Sequence, residues 1–169
     1  MFKSSRPVIC IAFPIFLWLA GCAQTMQFTP HPSGKIYQLP NLSSSIVDVR
    51  VNDLRPDTSN DESLRDVLKA QVIAALSTNP VQKTLSTHIL TIDIIEHRSF
   101  FTLGNWNAST RFRIRLADSQ GNKIGLWEAV GSSRRSNMWG YETAKAVSQD
   151  AYDIAVADMM SSLSQVEVK

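Results

Sequence analysis

Residues 108–116 constrain the fold more than any other stretch. Phe112, Ile114 and Leu116 alternate there with Arg111, Arg113 and Arg115. A period of two sets the apolar side chains on one face of a strand and the guanidinium groups on the other. A strand of this kind belongs in an antiparallel sheet with one face on a core and the other toward water. Asp118-Ser119-Gln120-Gly121-Asn122 supplies a hairpin turn after it, and Lys123 to Ser133 the returning partner strand.

The covering layer has to come from helices, and two are legible. Ser59-Asn60-Asp61-Glu62 is a capping box, and Leu64, Leu68, Val72, Ala75 and Leu76 follow as one helical stripe until Asn79-Pro80 stops it. A second helix is expected from Tyr141 to Leu163, with Val147, Ala151, Ile154, Ala155 and Met159 turned inward. Ile46 to Asn52 alternates as a half-buried strand, and Ile89 to His97, rich in β-branched residues, reads as a central strand. Leu103-Gly104-Asn105 reads as the turn after it. The expected order is β-α-β-β-β-α: an α+β two-layer sandwich, a four-stranded mixed sheet with two helices on one face, its first crossover right-handed.

Ahead of this body, Lys3 and Arg6 precede an apolar run from Pro7 to Ala20, then Leu19-Ala20-Gly21-Cys22. About fourteen apolar residues make a secretory core too short to span a bilayer as a helix, and Pro14 within it disfavours a stable span. Small residues followed at once by a thiol fit a lipobox. The sulfur is the nucleophile that takes diacylglycerol, and Ala20 and Gly21 let a peptidase reach the bond before Cys22. The chain is therefore expected to comprise a lipoprotein signal peptide over 1–21, a lipidated tether over 22–43 and a single α/β domain over 44–169. The tether carries Pro30, Pro32, Gly34 and Pro40 without sustained periodicity, and about twenty extended residues could reach on the order of 60 Å. An alternative is that Ile36-Tyr37-Gln38-Leu39 packs on the domain. Cys10 leaves with the signal peptide, so the mature chain holds Cys22 alone and forms no internal disulfide. Ala23 and Gln24, with no aspartate, favour the outer membrane, periplasm-facing, over inner-membrane retention. Charge adds little: 17 Lys+Arg face 15 Asp+Glu, and loss of Lys3 and Arg6 leaves 15 of each. A neutral chain has no global drive toward nucleic acid.

Four segments, Leu19-Ala20-Gly21-Cys22, Ser63-Leu64-Arg65-Asp66-Val67-Leu68, Ser119-Gln120-Gly121-Asn122-Lys123 and Ile154-Ala155-Val156-Ala157-Asp158-Met159, carry a resemblance. In these the chain resembles the YajG-type lipoproteins of proteobacterial envelopes. The resemblance implies an envelope lipoprotein and supplies no catalytic residues. The strand and helix order also looks like small envelope lipoproteins that assist larger machines, an analogy of fold that does not fix function.

Catalysis is not expected, and neither a cofactor nor a metal site is. The histidines are His31, in the tether, His88 and His97. Glu96 and His97 point to opposite faces of a strand. Asp93 and His97 share a face but stand ~13 Å apart. No HExxH, phosphate-cradling glycine loop or nucleophile elbow is present.

Two surfaces are candidates for binding. Arg111, Arg113 and Arg115 form a basic row. In the simplest register Trp127 sits across from Arg113 and stacks on it, whereas a bulge at the turn substitutes Glu128 and an ion pair. Arg134 and Arg135 lie past the strand end. Forked guanidinium groups suit phosphate or carboxylate, and the alternative is an ordinary solvated face with its arginines paired to acids. The second surface is aromatic: Phe100, Phe101 and Trp106, with Trp139 and Tyr141. These either mark a contact or plug the end of a small core.

The sequence thus points to a membrane-anchored, non-catalytic accessory domain that docks on an envelope protein complex. The alternative is a module that binds a lipid, glycan or lipopolysaccharide moiety.

Overall fold

A computed structural model describes residues 25–56, 62–77, 88–136 and 140–166, with the backbone alone at Val47, Glu62 and Tyr141. The expected signal peptide, Cys22, the start of the expected capping box at Ser59, the expected Asn79-Pro80 stop and Trp139 lie outside the described residues.

The elements run β1 (Thr25–Met26), α1 (Pro40–Ser43), β2 (Ile46–Asp53), α2 (Glu62–Leu76), β3 (His88–Thr102), β4 (Asn105–Asp118), β5 (Lys123–Ser136) and α3 (Tyr141–Ser164). The expected six-element order is present, with β1 and α1 added before it. β3, β4 and β5 form an antiparallel meander. On the far side of β3, β2 pairs in parallel over His88–Ile94, as a helical crossover requires, and β1 pairs antiparallel at Ser99 and Phe100. The sheet is therefore mixed and five-stranded.

The alternation of β4 orients the sheet. Phe112, Ile114 and Leu116 are buried beneath the helices, together with Leu90, Ile92 and Ile94 of β3 and Val49 and Val51 of β2. From above, α2 contributes Leu64, Leu68, Val72 and Ala75, and α3 contributes Tyr152, Ala155, Val156, Met159 and Leu163. Ile154, expected inward, is exposed. The inward stripe of α3 follows 144, 147, 151, 155 and 159, and Ile154 falls one residue off it. The small residues on α3 bring its backbone onto β5: a Cβ at Gly131 would collide with the carbonyl oxygen of Ala151 and the amide nitrogen of Ala155.

A bulge in β3 divides the core. The register with β4 shifts between Ile94 and Glu96, so Ile95 is the extra residue. Beyond it the odd-numbered residues His97, Ser99 and Phe101 take over the helix-facing side. A second cluster forms there from Phe28, Trp106, Ala108, Ala144, Val147 and Ala151, with Met26 and Phe101 against it.

Residues 25–43, expected as a tether, instead pack on the domain. Phe28, Leu39 and Leu42 are buried. The Leu39 amide donates to the Ala75 carbonyl at 2.9 Å, and the Asn41 side-chain amide donates to the carbonyls of Leu163, at 3.2 Å, and Val166, at 2.6 Å. Asn41 also donates to the carbonyl of Ser164, the last residue of α3, at 3.2 Å, where the helix offers no amide of its own. The apolar residues that do this are single ones set among prolines, which give no periodic signal.

Candidate functional site

Among the described residues no helix covers the second face of the sheet. β4 directs Arg111, Arg113 and Arg115 onto it, and each is exposed. Arg115 holds Asp93 at 3.0 Å, and the Asn52 side-chain amide donates to the same carboxylate at 2.8 Å. Asp93 is 2% exposed, and these two partners balance the cost of burying its charge. Arg113 lies 3.8 Å from Glu128. Arg111 and Arg134 form no ion pair among the described residues. Through the register, Leu126 stands opposite Arg115, Val130 opposite Arg111 and Arg134 opposite Asn107. Leu126 and Val130 are 46% and 45% exposed, so the uncovered face combines guanidinium groups with an apolar edge.

The six residues expected to form one binding surface do not all share it. Trp127 stands opposite Ile114 and packs against the core on the helix side. A bulge beside the hairpin, at Leu116 and Ala117, sets the register that puts Glu128 opposite Arg113, so the stacked Arg113–Trp127 pair does not form. Arg134 and Arg135 belong to β5 and do not lie beyond it. Arg135 turns to the helix side, where Asp150 of α3 binds it at 2.7 Å. Arg111, Arg113, Arg115 and Arg134 remain on the open face.

The Ile95 bulge also separates Asp93 from His97, which were expected to share a face. Asp93 looks to the open side and His97 into the second cluster. His97 is buried, with Nδ1 2.9 Å from the Thr110 hydroxyl and Nε2 2.9 Å from the Phe28 carbonyl oxygen. Accepting from Thr110 and donating to Phe28, the imidazole pins the N-terminal segment to the sheet. The Ser148 hydroxyl is 3.3 Å from Nε2, but Ser148 is buried too, and the carbonyl occupies the nitrogen a general base would use. The arrangement is that of a structural clamp.

Of the aromatic residues, Trp106 is buried and stacks at a tilt on Phe101, ring centroids 5.3 Å apart. Both plug the end of the second cluster. Phe100 lies on the open side, half-buried, with the Arg98 guanidinium 5.5 Å over its ring. At the tip of the β3–β4 hairpin, Leu103 is 95% exposed. Leu103 and Gly104 both take positive φ, 48° and 76°, the backbone of a tight two-residue hairpin.

One cleft was not foreseen. β2 leaves β3 after Ile94 and β1 joins it only at Ser99, so among the described residues no strand pairs with the edge of β3 between them. A cavity of about 330 Å³ lies there, lined by Thr25, Gln27, Arg55, Ile95, Glu96 and Arg98 among others. Arg55 is buried beside it. It donates to both carboxylate oxygens of Asp53, at 2.9 and 2.6 Å, and toward the His97 carbonyl at 3.5 Å. An arginine in an aperiodic loop gives no sequence cue to such a position. Among the described residues no group of three His, Cys, Asp or Glu side chains could hold a metal ion, and no helix is long and apolar enough to cross a membrane.

No protein-family model and no curated protein matches the chain. Several solved structures are similar in outline. A lipoprotein candidate from Caulobacter crescentus is 16% identical over 73% of this chain and 90% of its own, with a TM-score of 0.46. A protein from Xanthomonas campestris is 11% identical over 79% and 92%, with a TM-score of 0.49. A minor lipoprotein from Acinetobacter baumannii is 15% identical over 69% and 90%, with a TM-score of 0.46. At this depth function has to be argued from the chain's own residues.

Proposed function

We propose that the protein is a bacterial envelope lipoprotein, anchored through lipid on Cys22 and facing the periplasm from the outer membrane, whose domain docks without catalysis on an envelope protein complex. The Leu19-Ala20-Gly21-Cys22 lipobox and the YajG-type resemblance support the anchor. The observation that carries docking is the uncovered face on which Arg111, without an ion pair among the described residues, stands opposite exposed Val130, and Arg115 stands opposite exposed Leu126. Arginine next to exposed aliphatic side chains suits a protein interface better than a purely solvated face.

Two experiments test this reading. Replacing Cys22 with serine should abolish lipid labelling and release the protein from the membrane fraction; continued labelling would refute the anchor. Mild crosslinking in intact envelopes, then capture, should recover one protein partner from the parent chain. Recovery should fall several-fold with Arg111→Glu or Val130→Glu and hold with Lys145→Glu on α3, on the other side of the sheet. Equal recovery from all of them would exclude the open face as the docking surface.

The cleft beside Arg55 supports a second reading, a module for a lipid, glycan or lipopolysaccharide fragment. Its volume lies near the lower end for small-ligand sites, and its lining mixes polar side chains with apolar ones such as Pro56 and Ile95. Co-purifying lipid or glycan with no protein partner would favour it.

A further inference from the structure

The first described strand starts very near the proposed anchor. Thr25 is three residues after Cys22, so the two Cα atoms can be no more than about 11 Å apart however the chain runs between them. Thr25 stands opposite Phe100, Phe100 opposite Asn107, and Asn107 opposite Arg134. These four residues form one row across the sheet. β1 runs from Thr25, opposite Phe100, to Met26, opposite Ser99, so its N-terminal end is the one nearer the hairpin tip. Leu103 is three residues beyond Phe100, on the order of 10 Å along the strand. The lipid attachment point and the tip therefore lie at the same end of the domain.

The tip also departs from ordinary turn chemistry. Where both central residues need positive φ, asparagine, aspartate and glycine are the favoured occupants of the first position. Leu103 holds it instead, strained and almost wholly exposed. Three residues back, Arg134 has no ion pair among the described residues, and Phe100 lies under the Arg98 guanidinium. An aliphatic point with aromatic and guanidinium groups behind it matches the layering of a bilayer interface, where acyl chains lie beneath a phosphate level.

We infer that the Leu103–Gly104 hairpin tip is a membrane contact: Leu103 enters the interfacial layer of the leaflet that holds the Cys22 lipid, and Arg134 meets lipid phosphates, with Arg98, which Glu96 binds at 2.8 Å, one step behind it. The inference rests on the lipoprotein reading of Cys22. It gives the domain a defined stance, with strands rising from the membrane and the 118–122 turn at the far end.

The test uses the full lipidated protein in vesicles of phosphatidylethanolamine and phosphatidylglycerol. Cys22 is the sole cysteine of the mature chain and its thiol is consumed by lipid, so Leu103→Cys takes a single polarity-sensitive fluorophore. Ser119→Cys is the far-end control. Nitroxide-bearing lipids should quench the probe at 103 several-fold more than the probe at 119, and its emission should shift to the blue. Equal, weak quenching at both positions overturns the inference. So does a probe at 103 shielded from aqueous iodide yet untouched by nitroxide lipid, which would mark a second copy of the chain over the tip. The intact mass of the same preparation separates the two readings. Lipid on Cys22 with an unquenched tip refutes the membrane contact alone, and a mass without lipid refutes the anchor and the contact together.

Discussion

At position 103 a leucine holds a left-handed backbone, φ 48°, that asparagine would hold with less strain. Left-handed geometry costs a Cβ-bearing residue about 1–2 kcal/mol, and asparagine recovers part of this through local hydrogen bonds. Leu103→Asn is therefore expected to stabilise the domain by about 1 kcal/mol, read in urea or as a small rise in Tm. Leu103→Gly should gain less, because glycine also widens the unfolded ensemble. A loss of stability in Leu103→Asn would mean that the leucine makes a contact within the fold. Tyr152 gives a second test. Burial pushes its phenol well above the ordinary tyrosine range, and its hydroxyl donates to Gln71 Oε1 at 2.9 Å. A group whose folded pKa is raised lends stability that is whole below the unfolded pKa, about 10, and is lost as pH climbs beyond it. Tyr152→Phe should cost about 1 kcal/mol at neutral pH. That gap from the parent should narrow above about pH 10, since only the parent pays for keeping a phenol protonated there. A gap constant to high pH would contradict the burial argument.

Among the elements, the seam between β5 and α3 is the least tolerant of added volume. Gly131 lies against the backbone of Ala151 and Ala155, and backbone cannot swing aside as a flexible side chain can. Gly131→Val should destabilise by about 3 kcal/mol or more, whereas Val130→Thr on the opposite face of the same strand should change stability by less than about 1 kcal/mol. Similar losses from the two would show that α3 is not seated so closely. This seam was partly legible, because Val147, Ala151, Ala155 and Met159 recur at helical spacing. β4 was legible in full, since strict alternation leaves one orientation for each side chain. β3 was not: Ile89, Ile92, Ile94 and Ile95 make both of its faces apolar, so no pattern marks Ile95 as the extra residue. The error about Asp93 and His97 follows from that. The assignment of Trp127 to the arginine face failed for the same reason, since a one-residue shift at the hairpin moves every side chain to the other side. The candidate surface was therefore readable on β4, where one strand decides it, and unreadable wherever two strands had to be put in register.

For the whole molecule, the packing of residues 25–43 changes what the proposed anchor on Cys22 would do. A free tether would let the domain wander on the order of 60 Å from the membrane; a chain ordered from Thr25 would hold its hairpin end close to the proposed lipid. Leu103 alone could not provide this. Burying one leucine is worth roughly 1.5–3 kcal/mol, which as a free binding energy is weaker than a millimolar Kd. The short link must supply the remainder by holding the tip at the interface. Inserting ten Gly/Ser residues between Gln24 and Thr25 would add a flexible span of roughly 17 Å root-mean-square and cut the local concentration of the tip at the membrane toward millimolar values. The insertion should leave lipid on Cys22 and the Tm in detergent unchanged, because β1 and the His97–Phe28 clamp lie downstream of it. Quenching of a probe at 103 by nitroxide lipids should fall toward that of the far-end probe. Full quenching after insertion would mean that the tip binds lipid by its own affinity. Arg134 would then contribute more than a phosphate-level contact, and an added Arg134→Glu should abolish the signal that the longer link had failed to weaken.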